Sequence, residues 1–157
     1  MGAKSSKVAV SSDEHGQLVD VLLLLLRKRG YQPIYFGPKA GEEAQDWPLV
    51  TKDAVELVLR GKAAEAIVIC WTGTGCSIVA NKMPGIRAAL CLDAETARGA
   101  RKWNHANVLA LSQRVTSIAV LEEILDAWYD TPVSTDEWNV TQIERVNAMD
   151  NQRNSTS

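Results

Sequence analysis

Cys70, Gly73, Gly75 and Ser77 are the closest-spaced set of residues in the chain that could do chemistry. An unbroken apolar run, Ala66-Ile67-Val68-Ile69, carries Cys70 at its end and reads as a buried parallel strand. The small-residue segment Trp71-Thr72-Gly73-Thr74-Gly75-Cys76-Ser77 then leads into Ile78-Val79-Ala80. A strand, a tight turn of backbone N–H groups and a helix start make an anion-binding nest beside a thiol. That combination points to reactive chemistry rather than dinucleotide binding, because the two glycines have no third at the GxGxxG offset. A thiol hydrolase or transferase fits less well, since no histidine–acid pair adjoins Cys70 in the sequence.

The elements that must position this segment are those of a single domain. At 157 residues the chain is long enough to bury a real core, and 46% hydrophobic with 23% charged residues is ordinary for a globular protein. A net charge of -2 suggests no nucleic-acid or acidic-membrane partner. Cys70, Cys76 and Cys91 are odd in number and in no metal spacing, so free thiols and a reducing cytoplasmic setting are expected. The most apolar stretch, Leu18 to Leu26, has about half the length needed to cross a bilayer.

Apolar runs predict strands at Val8–Val10, Gln32–Phe36, Ala66–Cys70, Ile86–Leu92 and Val108–Leu111. Between them, helices are predicted at Gln17–Arg29, Leu49–Arg60, the segment ending at Lys82, Ala94–Trp103 and Ile118–Tyr129, with Asp93 and Thr116 or Ser117 as caps. Strands alternating with helices through short loops predict an α/β fold: a three-layer, Rossmann-like α/β/α sandwich with a doubly wound, five-stranded parallel sheet. Eight of the nine residues from Leu18 to Leu26 are apolar, more than one core stripe requires, so this helix is expected to meet a second subunit. Residues 1–7 read as a flexible N-terminus and residues 8–131 as the domain. Residues 132–149 read as a helical tail packing on a partner, with Trp138, Ile143 and Val146 on its apolar side and a capping-box spacing at Ser134–Glu137. Residues 150–157 read as disordered.

Several motifs in order resemble one family. They are Ser12-Asp13 after the first strand, Cys70 through Gly75, Ser77 through Lys82, Pro84-Gly85-Ile86-Arg87-Ala88-Ala89, and Asn104 followed by Ala106-Asn107-Val108-Leu109-Ala110. From Val8 to about Thr131 the chain is similar to the ribose-5-phosphate isomerase B and galactose-6-phosphate isomerase family. The resemblance implies a homodimer or dimer of dimers whose active sites draw on two chains, and a cofactor-free interconversion of aldose and ketose phosphates through an enediolate. Such a reaction needs a base to carry a proton between C1 and C2, and donors for the oxyanion. Cys70 fits the base, with its thiol acidified by the nest and helix start. The backbone of Thr72, Gly73, Thr74, Gly75, Cys76 and Ser77 fits the oxyanion loop, and the Thr72 hydroxyl could pass a proton. The thiols of Cys76 and Cys91 read as packing. Asp13 reads as an acceptor for sugar hydroxyls or else as a helix cap, Asn104 as a substrate contact from the partner chain, Asn107 as a turn residue, and Arg87 as a structural or interface residue.

Three departures from the family pattern shape the expected substrate. Glu14 stands where a histidine usually follows the aspartate, with His15 one place later. Trp103-Asn104-His105 replaces His-Asn-Asp, removing the ring-opening imidazole from its usual place. The phosphate-gripping arginines of the tail are replaced by a segment around Asp136-Glu137-Trp138. Asp13, Glu14, His15, Trp103, Asn104 and His105 are therefore the expected substrate-binding residues, with Trp103 and Trp138 able to stack on a sugar. Arg101, Lys102 or Arg114 would have to point in for an anionic group. The expectation is a sugar or sugar-phosphate isomerase of specificity altered from ribose 5-phosphate. The alternative is a binding or incomplete member of the family without turnover.

Overall fold

The structure, a computed structural model, describes residues 6–155. The chain runs β1 (Lys7–Ser12), α1 (Gln17–Lys28), β2 (Gln32–Phe36), α2 (Trp47–Leu59), β3 (Glu65–Cys70), α3 (Thr74–Asn81), β4 (Ala88–Leu90), α4 (Ala94–Lys102), β5 (Val108–Ser112), α5 (Ile118–Asp130) and α6 (Glu137–Asn154). The five strands form one parallel sheet in the order β2-β1-β3-β5-β4. The order turns back between β1 and β3, so the crevice between their carboxyl ends is the place where such sheets bind ligands. In that register Ser12 lies beside Ile69, which puts Asp13 next to Cys70.

The two faces of the sheet differ in bulk, and the strand pleat decides which residue goes where. Val8, Val10, Ile67, Ile69, Leu109 and Leu111 pack against α1, α4 and α5. Ala9, Ala66, Val68, Cys70, Val108 and Ala110 face α2 and α3, where Ala54, Val55, Cys76 and Ala80 meet them. Small side chains on this second face let α3 approach closely and put Cys70 on its side of the sheet.

Five expectations are corrected. Leu18, Val19, Leu22, Leu25 and Leu26 of α1 are buried within the single chain, against the sheet and α5, and only Leu24 is strongly exposed. One chain therefore covers this helix, and its composition is no argument for a second subunit. The strand expected over Ile86–Leu92 is only Ala88–Leu90, because side chains hold its approach as a loop. The side-chain amide of Asn81 donates to the Ala88 carbonyl and accepts from the Ala88 N–H, and Asn107 accepts from the Arg87 N–H at 2.8 Å and donates to the Gly85 carbonyl at 3.0 Å. The chain is also helical beyond Asp150, whose carboxylate accepts from the Gly85 N–H at 2.7 Å. Trp138 and Val146 do not form a buried side with Ile143; they are exposed, while Ile143 is buried. Of the segment expected to be flexible, residues 1–5 lie outside the described residues and Lys7 already belongs to β1. No helix is long and apolar enough to cross a membrane among the described residues.

Candidate active site

Cys70 closes β3, a strand buried along its whole length, and its carbonyl accepts from the Gln113 N–H at 3.0 Å. The next carbonyl, of Trp71, accepts from the Arg114 N–H at 3.0 Å and from the Ser112 hydroxyl at 2.9 Å. These bonds end the strand sharply and turn the chain over the end of β5. Gly73 makes the turn possible. Its φ is 77°, and a β-carbon there would lie 2.5 Å from Leu90 Cδ1 and 3.1 Å from the Leu111 carbonyl carbon. Helix α3 starts at Thr74 with no side-chain cap, so its first turn presents N–H groups at the end of β3, that of Cys76 toward the Cys70 sulfur. The Thr72 and Thr74 hydroxyls are 2.7 Å apart, and Ser77 donates its N–H to the Gly73 carbonyl at 3.3 Å.

A cavity of about 220 Å³ opens on this turn, lined by Asp13, Trp47, Cys70, Trp71, Thr72, Thr74 and Gly75. The Cys70 thiol is held down to about 6 by the side chain of Cys76 first, then by the N–H groups of Cys76 and Gly73, against the opposing pull of burial. Burial pushes the Asp13 carboxyl up, and its Oδ1 is buried without a hydrogen-bond partner. Asp13 does not cap α1: the cap position is Gly16, with no side-chain hydrogen bond. An acidified thiol and a carboxylate with one unpartnered oxygen beside one small cavity can move a proton and accept from a hydroxyl.

The other expected residues lie elsewhere in the chain. Glu14 and His15 line a separate cavity with Glu42, and His15 Nε2 sits 2.9 Å from Asp20. Trp103, Asn104 and His105 precede β5 and therefore stand at the opposite end of the sheet. The four residue steps from Ser112, beside Cys70, back to Val108 span about 13 Å. Trp103 is exposed beneath the Lys102 ammonium, 5.4 Å from its ring centre. Asn104 lines a cavity of about 420 Å³ with Arg87, Val146 and Asp150. His105, with φ 46°, directs Nε2 to the Ser134 carbonyl at 2.9 Å and lies 3.3 Å from the Asn139 amide. Arg87 holds this corner through the His105 carbonyl at 3.0 Å and Asn147 at 3.1 Å.

Among the described residues no basic side chain lines the Cys70 cavity. Arg101 stacks on Trp128, 5.1 Å from the ring, and Lys102 lies over Trp103, so neither supplies the charge an anionic substrate would need. Two residues had gone unnoticed in the sequence. Trp47, the first residue of α2, walls the cavity beside Gly75; the Asp46-Trp47-Pro48 helix start was its only signal. Gln113 ties the β1 loop to β5 through the Ser12 hydroxyl at 3.0 Å and the Glu14 carbonyl at 2.8 Å. Among the described residues no group of three His, Cys, Asp or Glu side chains could hold a metal ion.

The sequence matches the family described as Ribose/Galactose Isomerase over residues 8–148. It is 37% identical to the galactose-6-phosphate isomerase subunit LacB of Clostridium acetobutylicum over 103 residues, which is 66% of this chain but only 60% of that one. It is 35% identical to the D-erythrulose-4-phosphate isomerase of Pectobacterium atrosepticum over 124 residues, 78% of this chain and 82% of that one. The fold matches that of ribose-5-phosphate isomerase B from Clostridium thermocellum with a TM-score of 0.86 and 36% identity, over 94% of this chain and 99% of that one. The chain belongs to the ribose/galactose isomerase family of aldose–ketose isomerases.

Proposed function

We propose that Cys70, as a thiolate, carries the proton between C1 and C2 of an open-chain sugar, and that the sugar is one other than ribose 5-phosphate. The observation that carries this reading is the acidified Cys70 thiol facing a cavity shared with Asp13 and the start of α3. The thiolate takes the proton from the carbon next to the carbonyl, and the negative charge moves onto the carbonyl oxygen. N–H groups of the Thr72–Ser77 turn stabilise that enediolate oxygen, and the Thr72–Thr74 hydroxyl pair can move a proton between the two oxygens. The Cys70 thiol then returns its proton to the neighbouring carbon, giving the isomer. Asp13 accepts from a sugar hydroxyl.

The altered specificity rests on the lining of the cavity. It carries Trp47, Trp71 and Asp13 but no cation, so within one chain a phosphate would meet only the N–H groups at the start of α3 and no charged partner. The relatives' names cover a galactose phosphate, an erythrulose phosphate and ribose phosphate at 35–37% identity, so similarity does not choose among them. The distance between Cys70 and the Trp103–His105 corner supports a homodimer or dimer of dimers in which a second copy supplies that corner. A lone chain would then be the incomplete binding form.

The test is proton exchange at C2 in deuterated water, followed by NMR with free and phosphorylated tetroses, pentoses and hexoses. Cys70→Ala should lose exchange by roughly 100-fold or more, the scale of a positioned general base. Exchange surviving in Cys70→Ala would sink the base assignment. Ribose 5-phosphate turning over faster than every other sugar would sink the specificity reading.

A further inference from the structure

We propose that the cavity at the start of β3 is a second, non-catalytic site for a neutral polyol, an unphosphorylated sugar or sugar alcohol whose neighbouring hydroxyls meet Glu65, Arg101 and Tyr129. It is independent of the reading of Cys70, which stands at the other end of that strand. β3 reads Glu-Ala-Ile-Val-Ile-Cys, and only its first residue is charged. The pleat sends Glu65 to the face of Ile67 and Ile69, beneath α4 and α5. Glu65 is only 9% exposed there. A carboxylate taken out of water is costly unless its oxygens are paired. Oε2 accepts from the Trp128 indole at 3.1 Å, while Oε1 has no hydrogen-bond partner. An apolar side chain would fill the same place at less cost, so folding alone does not account for the charge.

The cavity measures about 310 Å³, the low end for small-molecule sites, and is lined by Ser6, Tyr31, Glu65, Arg101, Trp128 and Tyr129 among others. It shares no residue with the cavities at Cys70 and Asn104. Three buried polar atoms of these side chains make no hydrogen bond: Glu65 Oε1, Arg101 Nε and the Tyr129 hydroxyl. All three are held in place. Arg101 donates to the Ala106 carbonyl and lies on the Trp128 ring, and Tyr129 stacks on Tyr31 with ring centres 4.5 Å apart. Burial first, then the Glu65 charge, pushes the Tyr129 hydroxyl up, so it keeps its proton. The carboxylate can only accept, the guanidinium can only donate, and the phenol can do either. A hydroxyl that donates to Glu65, next to an oxygen that accepts from Arg101 and Tyr129, satisfies the set, and a vicinal diol carries that pair. Charges of both signs act here: burial and Glu65 push the Tyr31 hydroxyl up, while Arg101 pulls it down. A phosphate's gain from Arg101 is offset by Glu65, and an ammonium's gain from Glu65 by Arg101, whereas a neutral diol uses both.

The probe is ribitol, which has no carbonyl and cannot be isomerised, with ribitol 5-phosphate as its charged counterpart. Each is titrated into isotope-labelled wild type, Glu65→Gln and Tyr129→Phe, and NMR follows the Trp128 indole N–H and the backbone amides. Ribitol should shift the Trp128 indole and the amides of Tyr31 and Ala64–Ala66 saturably, with a dissociation constant of roughly a millimolar or tighter for so small a ligand. The phosphate should bind about tenfold more weakly at the same peaks. Glu65→Gln keeps an oxygen for Trp128 but turns a donor toward the cavity, so ribitol binding should fall about tenfold or more. Its thermal midpoint without ligand should hold or rise, because a buried charge is gone. Tyr129→Phe keeps the ring stack, loses only the hydroxyl and should bind about fivefold more weakly, which keeps the test valid if Glu65→Gln does not fold. No saturable shift, or shifts confined to Gly73, Gly75 and their neighbours at the Cys70 turn, would overturn the inference. So would equal binding of ribitol to all three proteins, equal binding of the phosphate, or a lowered midpoint in Glu65→Gln, which would make the carboxylate a structural partner of Trp128.

Discussion

The indole of Trp47 lies against the α-carbon of Gly75, so close that a β-carbon there would sit 3.1 Å from ring atom Cε3. The contact joins α2 to the first turn of α3 across the mouth of the Cys70 cavity. Gly75→Ala should push the half-exposed indole aside and change the cavity while leaving the fold intact. Alanine favours a helix over glycine by about 1 kcal/mol, so the urea midpoint should hold or rise. The kcat/KM should fall by about 10- to 100-fold, the usual cost of misplacing a substrate by an ångström. Gly73→Ala is the contrasting control. There the positive φ and the Leu111 backbone leave no room, and a loss of about 1–3 kcal/mol in stability should accompany the loss of activity. If Gly75→Ala lowers stability as much as Gly73→Ala, the contact with Trp47 is structural and not a wall of the site.

Exchange should rise with pH through about 6, where Cys70 loses its proton, and then stay level. An unassisted thiol would put that limb near 8.5. The sign for stability follows from the same displacement. A group whose folded value lies below its unfolded one stabilises the fold fully above the unfolded value, and the gain is lost as the pH falls through the folded one. Unfolding free energy of the wild type relative to Cys70→Ala should therefore grow between about pH 6 and 8.5. A flat difference, or an activity limb near 8.5, would remove the acidified thiol.

If a site takes Cys70 from one copy and Asn104 from another, inactive variants can rescue each other. Cys70→Ala and Asn104→Ala should each be nearly inactive alone. Co-expressed, they should give about a quarter of the wild-type rate, because half of the pairs are mixed and half of the sites in those pairs are intact. No recovery in a mixture shown by mass spectrometry to contain mixed pairs would confine the site to one chain.

The parts of this molecule that were legible in the sequence are those where neighbours in sequence are neighbours in space. A parallel strand buried on both faces leaves an apolar run, so β3 and β5 stood out, and Cys70 with its glycine turn came as one segment. Trp47 was missed because its place beside Gly75 depends on how α2 docks, which no local pattern records. The α1 helix misled in the opposite direction. Its leucines looked too many for one chain, yet the bulky face of the sheet and α5 cover most of them. The start of β4 was placed too early because the amides of Asn81 and Asn107, which hold the chain in a loop there, look like ordinary polar residues.

The sheet gives every copy two unlike poles, the thiol at one and the Trp103–His105 corner at the other. Poles that fit each other can join head to tail without limit, like a filament, or in an antiparallel couple where both joints close together. Only the couple leaves no pole idle. If the copies pair in that way, dilution acts as a switch: a copy separated from its mate would not work at half speed but stop, and below the dissociation constant the observed rate would fall with the square of the protein concentration.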